Sequence, residues 1–236
     1  MSRFMRFPPL CAALALVLCA QAGQAAQEKI GGVSQHEYKG ATGAVSSGAA
    51  SALYFASDLY SGETVSTPEA GSTVLTFGDT TQLNVGANST VVLDHFVYDP
   101  GSRTGDASIN FTKGIFRFVT GDIQNKSNVK LTTPTTSLTI RGTDFKVVVN
   151  DAGTIVQVIS GAVEIKPCGG TAETRLVTPG EAARVSPSCS VSSVPLSSVP
   201  NDPGTDGGNS GGNPPGHDPN STPGNNRGGK DGGNAG

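Results

Sequence analysis

Apolar and polar residues alternate along much of this chain, most clearly between Thr132 and Ile165. Leu138 and Ile140 alternate with Thr139 and Arg141; Phe145, Val147 and Val149 alternate with Asp144, Lys146 and Val148. A period of two puts one set on a buried face and the other toward solvent, the pattern of a strand. Gly142 interrupts the alternation, as at a bulge or a close backbone approach. Asn150-Asp151-Ala152-Gly153 is turn chemistry, because Asn and Asp tolerate positive φ and Gly takes it freely. Ile155–Ile159 is almost continuously apolar, which predicts a strand covered on both faces. Gly161 then turns the chain into Ala162–Ile165.

The same pattern recurs upstream and downstream. Leu59–Val65 reads as strand, turn, strand, and Val74–Val85 as two strands around Gly78-Asp79-Thr80. Thr90–Tyr98 is a further strand, ended by Asp99-Pro100-Gly101 because Pro cannot join a ladder. Ser102–Asp106 reads as a polar loop, and Ala107–Thr120 resumes the strands, with Phe116 and Phe118 on one face. Leu176–Val185 holds a last strand or pair around Thr178-Pro179-Gly180. Short strands with regular turn signals and no sustained helical period predict an all-β fold. Val65-Ser66-Thr67-Pro68 recurs as Leu131-Thr132-Thr133-Pro134 and as Leu176-Val177-Thr178-Pro179, at irregular spacing. The expected architecture is a single elongated β-sandwich or a short β-solenoid-like domain.

The two ends of the chain differ from this middle. Arg3 and Arg6 precede eleven apolar residues, Leu10–Ala20, and small residues follow up to Ala25. That is the layout of a cleaved signal peptide, and the run is too short to span a bilayer. At the other end, Gly, Pro and Asn make up 24 of the 36 residues of Asn201–Gly236, with no Leu, Ile, Val, Phe or Tyr. Such a segment cannot bury enough apolar surface to offset the entropy of ordering. The expected organisation is a signal peptide over 1–25 and an arm over 26–52, weakly structured or carrying the first strands. An all-β domain follows over 53–192, and a disordered tail over 193–236.

Charge and candidate chemistry narrow the function. Removing Arg3 and Arg6 leaves 14 basic against 19 acidic residues, a net charge of about −5. With no basic stripe and no cluster of aromatics, nucleic-acid binding is not expected. Cys168 and Cys189 are the two cysteines of the mature chain. In an oxidising compartment an even pair suggests a disulfide, with two free thiols as the alternative; a zinc site lacks further ligands at metal spacing. His95 adjoins Asp94, but neighbours on a strand point to opposite faces, Asp94 with Phe96 and His95 away from them, so they form no acid–base pair. Asp58, Asp79, Asp99, Asp106, Asp122 and Asp151 fall at expected turns, where Asp bonds to nearby backbone N–H groups. There is no nucleophile elbow, no metalloprotease helix and no phosphate loop. No catalytic, cofactor-binding or metal-ligating residue is assigned. Arg141-Gly142-Thr143 is the sharpest local feature. It reads either as a guanidinium offered to an acidic partner or as an Arg capping carbonyls beside a Gly-enabled bulge, with the structural reading preferred.

Together these residues resemble a known family. Thr133-Pro134, Ile140-Arg141-Gly142-Thr143-Asp144-Phe145, Val156–Ile159 and Gly161-Ala162-Val163-Glu164-Ile165 resemble the FecR-type domain, named for the periplasmic part of the ferric-citrate uptake regulator. Thr76–Val85, Leu93–Pro100 and Lys113–Gly121 are similar to a subgroup of these proteins. The resemblance covers about Gly62–Val185, and it rests on structural punctuation: Thr133, Pro134, Arg141, Gly142, Thr143, Phe145 and Gly161. It implies an all-β, non-enzymatic domain outside the inner membrane of a Gram-negative bacterium. In the regulator, such a domain meets a signalling domain of an outer-membrane receptor. It follows a cytoplasmic sigma-controlling segment and one membrane span. Here only nine residues precede a cleavable apolar run, so an exported member lacking those segments is expected.

The resulting expectation is a periplasmic or secreted module without cofactors that binds or scaffolds a protein or envelope component, with a role in signalling or regulation. Strand edges and loops are the expected contact surfaces. The alternatives are a structural, surface- or matrix-associated protein with the tail as linker, and a hydrolase hidden in the loops.

Overall fold

A computed structural model describes residues 27–35, 40–45, 48–170 and 173–201; the expected signal peptide and the expected tail from residue 202 onward lie outside them. The strands are β1 (Lys29–Gln35), β2 (Thr42–Val45), β3 (Ser51–Ala52), β4 (Asp58–Tyr60), β5 (Glu63–Ser66) and β6 (Thr73–Phe77). Next come β7 (Gln82–Val85), β8 (Thr90–Asp99), β9 (Thr104–Val119), β10 (Val129–Thr132), β11 (Thr136–Ile140) and β12 (Asp144–Asn150). The last are β13 (Gly153–Ser160), β14 (Val163–Pro167), β15 (Arg175–Val177), β16 (Ala182–Val185) and β17 (Val191–Ser193). The described helical turns are two 3-10 segments, Lys126–Asn128 and Leu196–Ser198.

All seventeen strands are hydrogen-bonded into one sheet, which folds over on itself at β9. Residues Thr104–Lys113 of β9 pair with β8 and Ala107–Asn110 with β10. Beyond that point Gly114–Val119 pair with β12 and Phe116–Val119 with β7. Gly114 sits at the bend with φ +116°, and a Cβ there would overlap Ser89. The Ser89 hydroxyl accepts the Ile115 N–H, closing the corner (3.0 Å). One face therefore runs β4-β1-β6-β7-β9-β12-β13-β16-β17, and the other β3-β2-β5-β8-β9-β10-β11-β14-β15. The β9–β10 pair is the parallel one.

The apolar sides of both faces meet in one core. Phe77 of β6 stacks on Phe96 of β8 with ring centroids 4.5 Å apart, and Phe111 meets Phe116 around the β9 corner at 4.8 Å. Phe118 and Phe145, cross-strand neighbours, lie 5.6 Å apart. The architecture is thus a sandwich whose strand order advances along the chain as in a solenoid, without a fixed repeat.

Ile159 and Ser160 at the end of β13 are exposed, whereas its first half is buried on both sides, because a second cluster lies on the outer surface. Val148, Ile155 and Ala182 pack there against Ile115, Val194 and Val199. The cover comes from the chain after β17, which is tied down by Val194 N–H donating to the Ala182 carbonyl (3.0 Å). Folded structure consequently continues beyond residue 192, and a strand, β17, follows Cys189. β1, β2 and β3 are integral strands of the arm. The expected loop at Ser102–Asp106 is mostly the start of β9, because Thr104–Asp106 pair with Val97–Asp99.

Candidate functional site

Arg141-Gly142-Thr143 forms the corner by which the chain leaves β11 on one face for β12 on the other. Gly142 has φ +64°, and Gly161 has φ +76° and packs against the Gly142 carbonyl so closely that a Cβ would overlap it. Thr143 is held at both backbone groups by Thr120: its N–H donates to Thr120 Oγ1 (3.0 Å), and its carbonyl accepts from Thr120 N–H and Oγ1. The Arg141 guanidinium meets Glu164 across the β11–β14 ladder at 3.1 Å, with 65% and 36% side-chain exposure. The partner is a carboxylate of the same domain, so the expected capping of carbonyls is replaced by an exposed ion pair, and Gly142 marks a sheet-switching corner instead of a bulge.

Thr133 and Pro134 share their role with the two similar motifs. Each Thr-Pro follows a strand of the same face: β5, β10 or β15. Thr133 Oγ1 accepts from the N–H groups of Thr135 and Thr136 and shares a hydrogen bond with Thr154 Oγ1 (2.8 Å). Thr67 Oγ1 accepts from Ser89 N–H (3.0 Å), and Thr178 N–H donates to Glu181 (2.9 Å). The motif is a strand-exit device. Phe145 is fully buried in the core.

His95 has a carboxylate partner, but it is Asp106 across the β8–β9 ladder. A bulge between Leu93 and His95 shifts the alternation, so Leu93 and Phe96 both face the core and Asp94 is exposed, not on the side of Phe96 as the strict period implies. Asp94 instead accepts from Ser108 Oγ (2.9 Å). Asp79 and Asp99 serve their turns, bonding the N–H groups of Thr81 and Gly101. The Ser102 hydroxyl, which contributes most, and the Gly101 N–H hold the Asp99 carboxyl below its ordinary range. Asp58 and Asp106 lie in strands, which corrects their assignment to turns; the Asp58 partner is Lys29 (2.6 Å). Asp144 receives a two-point contact from Arg117, at 2.9 and 2.7 Å, with 23% and 18% side-chain exposure. No group of three or more metal-ligating side chains occurs among the described residues. Among them, too, no helix is long and apolar enough to cross a membrane.

Cys168 and Cys189 are joined in a disulfide, with Cα atoms 5.1 Å apart. It links the end of β14 on one face to the loop before β17 on the other. The outermost strands of the two faces are β3, β4, β15 and β17, each two or three residues long. Edges this short offer little ladder to an added strand.

An opening lies at the first end of the sandwich, between β2–β3 and β4. It is a cleft of about 380 Å³ lined by Gly43, Leu53, Ser57, Asp58, Tyr60 and Glu63, among others. Glu63 starts β5 and shares the inward side with Val65, 5% exposed. Its Oε2 accepts the Tyr60 N–H (2.9 Å), and its Oε1 lies where a Cβ of Gly43 would project. Burial pushes the carboxyl above the ordinary glutamate range, against the opposing pull of the Tyr60 N–H. The sequence reading passed over this residue. Its signal was the alternation Glu63-Thr64-Val65, which puts a carboxylate on the core side.

Residues 63–164 match the model of the FecR protein family. No curated protein matches the sequence. Among solved structures, the chain is similar to two crystal structures, each described as a candidate anti-sigma factor from Parabacteroides distasonis. The identities are 16% and 15%, and the TM-scores 0.44 and 0.43. In both comparisons the match covers 56% of this chain and 59% of the other, so the chain spans under two thirds of their length.

Proposed function

We propose that this chain, whose residues 63–164 carry a FecR domain, is an exported, non-enzymatic signalling or regulatory module that binds a protein or envelope component. The FecR match is the observation that carries this reading, since such domains form the periplasmic part of membrane regulators. The geometry supports it. His95, Arg117 and Arg141 each hold a carboxylate of the same domain. The family signature residues build corners, strand exits and, at Phe145, the core. The ends of the sandwich and their loops are the surfaces offered to a partner in this reading. The short edge strands make these ends better contact surfaces than an added β-strand ladder would be.

The test is chemical cross-linking of the full-length tagged protein in its native envelope, followed by mass spectrometry. The expected outcome is a saturable cross-link to one protein or envelope component, competed by untagged protein. Absence of any saturable cross-link, together with recovery of the protein solely as a self-assembled layer, would replace this reading with a structural role.

A further inference from the structure

The Glu63 carboxylate has no role in the corners, strand exits or ion pairs described above. Fully burying a carboxylate is costly unless it is paired. Here one oxygen accepts a single backbone N–H, and no cation among the described residues pairs with either oxygen. A glutamine would serve the Tyr60 turn equally well, so the turn does not account for the charge. Gly43, on the facing strand β2, leaves room for Oε1, since a Cβ there would overlap it. Asp58 adds a second carboxylate to the cleft wall and has Lys29 as partner. The loop between the wall residues Leu53 and Ala56 carries Tyr54 and Phe55, 66% and 61% exposed. Adjacent exposed aromatics are characteristic of binding surfaces, and aromatic faces also attract ammonium and guanidinium groups. The cleft volume falls in the range of small-ligand pockets, about 300–1,000 Å³.

We infer that this end cleft is a docking site for a lysine or arginine side chain of an extended protein segment, with Glu63 as the buried counter-charge and Tyr54 and Phe55 flanking the bound chain. This rests on the reading of the protein as a protein-binding module, and it names the chemistry of the partner. Charge complementarity selects the occupant: among the described residues the cleft wall carries two carboxylates, Asp58 and Glu63, and Lys29 outside the wall pairs with the first of them alone. Its position between the outermost strands leaves both ends of a bound segment free to continue. Most of its wall precedes residue 63, outside the span matched by the FecR model.

The test is a ¹⁵N-edited NMR titration of the full mature chain with N-acetyl, C-amide tripeptides Ala-Lys-Ala, Ala-Arg-Ala and Ala-norleucine-Ala, and with n-butylammonium. Saturable shifts of the Gly43, Tyr60 and Glu63 amides by a basic peptide are expected, with affinity at least tenfold above that of the norleucine peptide and of n-butylammonium. Glu63→Gln keeps an acceptor for the Tyr60 N–H and should weaken basic-peptide binding at least tenfold. Gly43→Ala, which displaces Oε1 from the other side, should weaken it as well. Equal binding of the norleucine peptide, unchanged affinity in Glu63→Gln, or no saturable shift at the cleft would overturn the inference. So would n-butylammonium binding as tightly as the peptides, which would mark a free-amine site. The envelope cross-link separates the two readings. Its persistence unchanged in Glu63→Gln leaves the binding module standing and removes this cleft from it.

Discussion

Two threonines in the signature stretch look interchangeable in sequence and differ in the fold. Thr133 Oγ1 accepts two backbone N–H groups and bonds to Thr154. Thr143 Oγ1 is buried without a hydrogen-bond partner, although the backbone of the same residue is fully engaged. Removing a hydroxyl costs when it strands buried partners and is nearly free when it has none. Thr133→Val should therefore destabilise by about 2–3 kcal/mol, and Thr143→Val should be neutral or slightly stabilising, both measured by urea unfolding. Glu63 gives a pH signature. Its folded-state pKa lies above the ordinary value of 4.5 because of burial. The stability it contributes is fully present below the unfolded pKa and is lost as pH rises through the folded one. Glu63→Gln lacks that loss. The variant should match the wild type below pH 4.5 and exceed its melting temperature at neutral pH. A stability gap that stays constant with pH would show that burial does not set this titration.

Among the elements, the corners carry more than the exposed charges do. Gly161→Ala forces a side chain into positive φ and into the Gly142 carbonyl, and should cost about 2–4 kcal/mol. Arg141→Ala removes an exposed ion pair and should cost about 0.5 kcal/mol or less. Arg117→Ala strips a half-buried carboxylate of a two-point partner and should cost about 1.5–3 kcal/mol. Denaturant midpoints of the three variants would rank them. The elements themselves were largely legible, because Leu138 and Ile140, and after Gly142 Phe145, Val147 and Val149, alternate with their neighbours. The run Ile155–Ile159 announced a strand covered on both sides, which holds at Ile155 and Val156 but not at the exposed Ile159. What covers it was not legible, because Val194 and Val199 follow a Ser-rich stretch that carries no period. The bulge at Asp94 and the bend at Gly114 were hidden for a related reason. Neither changes the local composition, yet each changes which residues face inward or which sheet they join. Glu63 is readable by position, since the alternation with Val65 puts it on the core side, but it follows the turn at Ser61-Gly62 and so resembles the carboxylates that serve turns.

On the scale of the whole molecule, the disulfide fastens the two faces at the last end, where β15 and β17 are short. Its loop of 21 residues implies a contribution of about 3 kcal/mol in the chain-entropy picture. Replacing both Cys168 and Cys189 by Ser should lower global stability by that order in denaturant unfolding. Amide exchange should accelerate first in β15 and β17. The paired strands of each face advance from one end to the other, about eight spacings of 4.8 Å, so the two ends stand roughly 40 Å apart. The bend in β9 gives this advance a further meaning for how the molecule is made. After β3 and β4 flank their first neighbours, each later strand joins only the outward margin of a face, and none is threaded between two strands already in place. A polypeptide delivered N-terminus first can thus lay down both faces in the order it arrives. β9 serves as the seam from which the second half is built, and the disulfide is the last stitch.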